Sequence, residues 1–245
     1  MVTQNKRMKL NSAAALIAIM STSFMAQSVD AATSKNIRTR ISHAKELLGS
    51  TYKKSVVRKA ESANDVAGFV KAATLRFLPS SYKKKSDQIS TVIMAEAERY
   101  GFDPIFLMAV IQNESSFNPK MKGSFGEIGL MQVKPSTAEW IAKTYKIEYK
   151  NSKSLYEPET NIKIGAAFIH KLRDQFDSQS RLYISAYNIG AKNVRKMVRG
   201  KNTPKVYMMA VMKRYVAMYS GLSNRGTAQE QGRMAWVQVS QVTAN

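Results

Sequence analysis

The chain has 245 residues with 12 glycines, 6 prolines and no cysteine, and it carries a net charge of +21. That length holds one sizeable domain plus an accessory segment. The absence of cysteine excludes a disulfide framework, a thiol nucleophile and a lipid-modified cysteine behind a leader, while the charge favours anionic partners: nucleic acid, acidic lipid headgroups or a polyanionic matrix.

The charge is unevenly spread. Residues 33–86 hold 13 Lys or Arg against 3 acids, residues 87–190 hold 12 against 12, and residues 191–229 hold 9 against none. A neutral middle therefore sits between basic flanks.

Taken in chain order, residues 1–31 read as a targeting signal. Lys6, Arg7 and Lys9 precede the apolar run "LNSAAALIAIMSTSFMA", and small residues allow cleavage after Ser28 or Ala31. The run is too short and too polar for a comfortable membrane span, although an uncleaved anchor is the competing reading. Export to the periplasm or beyond the cell is expected, with no stable span after cleavage. Residues 32–86 are expected to form a basic helical accessory segment, with "IRTRISHAKELLG" and "ANDVAGFVKAATLRFL" as amphipathic runs and "YKKKSD" as a linker. The main domain is expected over 87–220. It begins with a helix closed by Gly101 and continues with a helix capped by Asp103 and Pro104. Further helices follow, one broken near "NIG", and the last is expected to start at Thr203 and Pro204. Residues 221–245 read as a flexible C-terminal tail in which "MAWVQVSQV" forms a short strand or stays disordered. Little alternates with period two, so the fold class is mainly α.

Within "AVIQNESSFNP", Leu107, Val110, Ile111 and Glu114 fall at i, i+3, i+4 and i+7 on one helical stripe. A carboxyl on an apolar stripe loses solvation, and the negative end of the helix dipole acts in the same sense. Both raise its pKa toward what a general acid needs. The competing reading is a helix-end glutamate turned to water or paired with a lysine.

The neighbouring motifs carry a resemblance. Glu114-Ser115, Gly129-Leu130-Met131-Gln132, Pro135-Ser136-Thr137-Ala138 and Ala186-Tyr187-Asn188-Ile189-Gly190 occur in this order, with "NIKIGAAFIHKL" before the last. Together they resemble the soluble lytic transglycosylase (SLT) domain family of the lysozyme-like superfamily, related to goose-type lysozymes. The resemblance covers about residues 87–220 and implies a lysozyme-like domain that cleaves peptidoglycan glycan strands without a cofactor. It implies Glu114 as the single catalytic acid and base at the bond between N-acetylmuramic acid and N-acetylglucosamine, leaving 1,6-anhydro ends. By the same resemblance Tyr187 and Asn188 orient the carboxyl and the sugar, Gln132 lines the cleft, and Met131 supports it by packing. Ser115 either contacts the cleft or ties the helix end. Tyr207 resembles a late aromatic of the family or simply packs.

Three features depart from the family pattern. Gly123 stands where many relatives carry a serine that contacts the acetamido carbonyl. Glu127 stands within Gly126-Glu127-Ile128-Gly129, where a small residue is usual. The acid of the late Glu-Thr-x-x-Tyr pattern is absent before Thr203. Glu127 is either a loop residue in a local pair or a second carboxylate of the cleft. In the second case it would activate water, making a hydrolytic muramidase, or meet the ammonium of an N-deacetylated sugar. A non-catalytic wall-binding module is the alternative from another class. The two histidines, His43 and His170, form no ligand cluster, so no metal is expected. The basic flanks suit anionic wall or envelope polymers better than nucleic acid, because no stretch interleaves aromatics with bases as a single-strand binder does.

Overall fold

In the computed structural model, backbone is described for residues 34, 36–61 and 65–242, and side chains only as far as Asn224. The expected targeting signal lies outside the described residues. Ahead of Arg40, residues 34 and 36–39 are helical, and from Arg40 onward the chain forms one compact unit. No helix among the described residues is long and apolar enough to cross a membrane.

The compact unit is built from helices: α1 (40–48), α2 (Val56–Lys59), α3 (Val66–Phe77), α4 (Ser86–Tyr100), α5 (Pro104–Glu114), α6 (Pro135–Tyr145), α7 (Pro158–Gln175), α8 (Ser180–Ile189), α9 (Ala191–Arg199) and α10 (Val206–Val242). Among the described residues β-structure is limited to two isolated bridges, Lys122 with Ile128 and Ile128 with Val133. The mainly α expectation matches this architecture. Gly101 closes α4 in the left-handed conformation at φ 66°, as a helix-ending glycine does.

Helix α5 forms the centre. Asp103 caps it by accepting from the Ile105 amide, and Pro104 opens the first turn. The sequence reading gave this helix one apolar stripe, but every residue from Pro104 to Ile111 is buried. A helix apolar on all sides belongs inside a core, and α3, α4 and α10 supply its surroundings.

Both ends of α5 are tied to α10. Tyr207, near the start of α10, donates to Glu114 at the end of α5. Tyr215 and Tyr219 donate to Asp103 at the start of α5, at 2.6 and 2.5 Å. At about 1.5 Å per residue, the 8 and 12 residues from Tyr207 to those tyrosines span about 12 and 18 Å, bracketing the length of an 11-residue helix. The two helices are therefore antiparallel.

Within residues 32–86, expected as a basic accessory segment, the described part from Arg40 onward shares this core. Val70, Leu78, Ala44 and Leu47 are buried with the rest. His43 is fully buried, accepting the Asp103 amide on Nδ1 at 2.9 Å and meeting the Tyr183 hydroxyl through Nε2 at 3.1 Å. Because Nδ1 accepts an amide, Nε2 carries the proton; burial, with the Arg173 charge, keeps the ring's pKa well below the usual range. Arg40 donates to the Tyr219 hydroxyl and to the carbonyls of Ala60 and Glu61. Arg173 of α7 forks onto Glu46 of α1. The expected linker "YKKKSD" is mostly a short 3-10 turn, Ser80–Lys85, running directly into α4.

The C-terminal part differs from expectation. Helix α10 starts at Val206, two residues beyond Pro204, whose carbonyl instead accepts from Ser185. Its backbone is helical to Val242, so "MAWVQVSQV" does not form the short strand that was one expectation; no proline interrupts 206–242.

Asp103→Ala removes a cap worth about 1 kcal/mol and orphans two buried hydroxyls at about 1 kcal/mol or more each. Urea unfolding should show a loss of at least about 3 kcal/mol, and Tyr219→Phe should cost less than the aspartate change.

Candidate active site

The last turn of α5 and the loop that follows it build one wall of a cavity of about 430 Å³, and α8 builds the other. Glu114, Phe125, Glu127, Gln132, Tyr187 and Asn188 all line it. This volume falls in the range of small-molecule sites.

The loop between α5 and α6 is held by its two bridges and by turns within it, and a side chain beneath it adds to that hold. Asn161 of α7 is fully buried. Its Oδ1 accepts the Met131 amide at 2.7 Å, and its Nδ2 donates to the carbonyls of Ile128 and Leu155 at 2.8 and 2.9 Å. Gly129 lies at φ 81°, and a Cβ there would meet Asn161 Nδ2 and the Leu155 carbonyl at 2.4 Å. Only glycine fits. On α7, a Cβ at Gly165 would strike Met131 Sδ at 2.5 Å. On the opposite wall Gly190, at φ 81°, ends α8 and turns Asn188 and Ile189 along the cavity edge.

The residues singled out from sequence fall into two groups. Glu114, Glu127, Gln132, Tyr187 and Asn188 reach the cavity. Ser115 and Met131 do not line it. The Ser115 hydroxyl donates to the Leu130 carbonyl at 2.8 Å, tying the helix end to the loop. The Met131 side chain is fully buried, and its carbonyl accepts from the Tyr187 hydroxyl at 2.8 Å. Tyr187 is thus anchored to the loop, with its ring 5.2 Å from that of Phe168. The hydroxyl that touches the Glu114 carboxyl belongs to Tyr207, which donates to Oε1 and leaves Oε2 free of that bond. His170 sits half-buried against Tyr100, away from the site. Trp140 is 46% exposed.

Sequence reasoning gave Phe125 no role, yet it is 82% exposed at the cavity rim. It also missed Asn161 as the clamp under the loop. The one sequence signal for Asn161 was a polar residue at a core position of an otherwise apolar helical run.

The two carboxyls of the cavity are driven in opposite directions. Burial pushes Glu114 up to about 7; the neighbouring Glu127 charge adds to this, while the bond from Tyr207 opposes it. For Glu127 partial burial acts upward, but its own amide, the Phe125 amide and Lys134 outweigh this and hold it below the usual range. Phe125 N–H donates to Oε2 at 3.0 Å, and Lys134 Nζ lies 3.3 Å from Oε1. One group can therefore deliver a proton near neutrality while its neighbour stays an anion. Among the described residues no group of His, Asp or Glu is arranged to hold a metal ion.

The profile of the transglycosylase SLT domain family matches residues 91–209. This stretch, just under half of the chain, is similar to a transglycosylase SLT domain. The matched SLT segment runs from α4 to the start of α10 and contains every residue of the cavity. A soluble lytic murein transglycosylase of Salmonella typhimurium is 40% identical over 91 residues, which are 37% of this chain and 14% of that protein. A membrane-bound lytic murein transglycosylase C of Edwardsiella ictaluri is 31% identical over 135 residues, covering 51% of this chain and 38% of the other. The crystal structure of a 70 kDa soluble lytic transglycosylase from Escherichia coli aligns with a TM-score of 0.49 at 25% identity, over 67% of this chain and 30% of that one. The chain thus spans well under half the length of these relatives.

The pKa of Glu114 has a consequence for stability. A carboxyl whose folded pKa rises from 4.5 to about 7 contributes stability that is fully present below about pH 4.5 and is lost as pH rises through 7. Relative to Glu114→Gln, the native protein should lose on the order of 2–3 kcal/mol of unfolding free energy between pH 5 and 8. Urea titrations of both proteins across that window measure the difference.

Proposed function

We propose that the chain is an exported lytic transglycosylase, cutting the bond between N-acetylmuramic acid and N-acetylglucosamine in peptidoglycan. The observation that carries this reading is a desolvated Glu114 at the wall of a sugar-sized cavity, held by Tyr207 and protonated near neutral pH. The SLT match and the names of the relatives, which are murein transglycosylases, support it.

In this mechanism Glu114 Oε2 carries the proton, since Oε1 accepts from Tyr207. The proton passes to the glycosidic oxygen as the bond from that oxygen to the muramoyl C1 breaks. Positive charge develops at C1, and the Glu114 carboxylate now faces it. The carboxylate then takes the proton of the muramoyl 6-hydroxyl while O6 bonds to C1. The ring closes as a 1,6-anhydro sugar, Glu114 regains its proton, and no water is consumed. Tyr207 positions the carboxyl through both steps. Asn188 and Gln132 hold the strand from opposite walls, and Tyr187 secures the loop between them. This single-carboxyl route differs from the usual two-carboxylate scheme.

The basic flanks hold the enzyme against anionic wall or envelope polymers. Lys192, Arg195, Lys196 and Arg199 are all exposed on α9, and raised salt should release the protein from isolated wall.

Digestion of isolated peptidoglycan followed by mass spectrometry tests the chemistry. Anhydro ends are expected, and Glu114→Gln should lower their release by at least about 10²-fold. Reducing ends would mean that water attacks and that the enzyme is a muramidase. Unchanged behaviour of Glu114→Gln would leave only a wall-binding module.

A further inference from the structure

We propose that the corner of the cavity formed by Gly123, Phe125, Glu127 and Gln132 is a subsite for the free ammonium group of an N-deacetylated amino sugar in the strand. This rests on the glycan-cutting reading above, and it adds a substrate class to it.

Apart from Lys134, whose ammonium already sits against Glu127, the side chains that form the corner turn acceptors toward it. An ideal Cβ on Gly123 would lie 2.4 Å from Glu127 Oε2 and 2.8 Å from Gln132 Oε1. The two oxygens thus pack side by side against the bare Cα of Gly123, where a side chain would displace them, and both residues line the cavity. The orientation of Gln132 is fixed by its other end, because Nε2 donates to the Gly129 carbonyl at 2.9 Å and the Met121 carbonyl at 3.2 Å. Two carbonyl partners require the amide nitrogen there and turn Oε1 toward the corner. Glu127 is an anion and can only accept.

The structure already holds one ammonium at this corner. Lys134 Nζ sits 3.3 Å from Glu127 Oε1 and 5.6 Å from the centre of the Phe125 ring. A carboxylate and an aromatic face on one cation is a recurrent way of holding an ammonium. Lys134 itself is half exposed, and its long flexible stem lets it yield the place to a cation brought by the ligand. An acetylated nitrogen would bring a carbonyl oxygen toward two acceptors, whereas an unacetylated one brings three donors and a positive charge.

Calorimetry on Glu114→Gln, which removes turnover from the measurement, provides the test. The glucosamine tetramer should bind at least about 10-fold more tightly than the N-acetylglucosamine tetramer, the scale of one charge-assisted hydrogen bond. Adding Glu127→Gln should erase that preference. Adding Lys134→Met at an exposed position should instead strengthen binding of the amine tetramer. General attraction cannot mimic the result, because a chain of net charge +21 repels a polyamine. Equal affinity for the two tetramers, a preference for the acetylated one, or a preference that survives Glu127→Gln would overturn the proposal. The lytic reading fails separately: a native protein that selects the amine tetramer yet cuts neither acetylated nor deacetylated wall contradicts that reading and leaves this subsite standing.

Discussion

Helix α5 is buried from Pro104 to Ile111, and the polar groups at its two ends find partners inside the protein. Its two carboxyls, Asp103 and Glu114, both find tyrosines on α10. The same packing therefore anchors the fold at one end and presents a carboxyl to the cavity at the other. Asp103 joins His43, Arg40, Tyr215 and Tyr219 into a buried network that draws the N-terminal helices onto the core. Glu114, 11 residues further on, keeps a single tyrosine partner and looks into the space between the loop and α8. Burial raises the pKa of both carboxyls, but only Glu114 faces a cavity where a proton can be handed on.

The loop that shapes the cavity is held from below by α7. Asn161 bonds three backbone groups, and the glycines at 129 and 165 let loop and helix approach where a methyl group would not fit. This rigid floor separates two carboxyls by environment: Glu114 in a dry wall, Glu127 beside Lys134 and two amides. Chemistry and recognition can then be divided, one group moving protons while the other remains an anion.

Much of this was legible in the sequence because it is local. Asp103-Pro104 announces a helix start, Gly101 a helix end, and Gly190 a break, and each does so through backbone conformation alone. The ordered motifs from Glu114 to Gly190 brought most of the cavity residues together, since loops of fixed shape leave short signatures. What escaped depends on contacts distant in sequence. Tyr207 reads as an ordinary helical aromatic until α10 is laid along α5. His43 and Arg40 look like surface residues of an amphipathic run, and only tertiary packing buries them. The supposed accessory segment was set apart by its charge, yet charge describes a surface and says nothing of the apolar face beneath. The stripe assigned to α5 led to Glu114 for an incomplete reason, because the helix is enclosed on all sides from Pro104 to Ile111 and Glu114 is set apart by the cavity.

The central claim is that the Glu114 carboxyl keeps its proton at neutral pH because the fold denies it water. Carbon-13 NMR of the labelled glutamate side-chain carboxyl, titrated in the folded native protein and assigned through Glu114→Gln, measures this directly. A midpoint near 7 is expected. A midpoint at or below the ordinary 4.5 of a solvated glutamate would contradict the account.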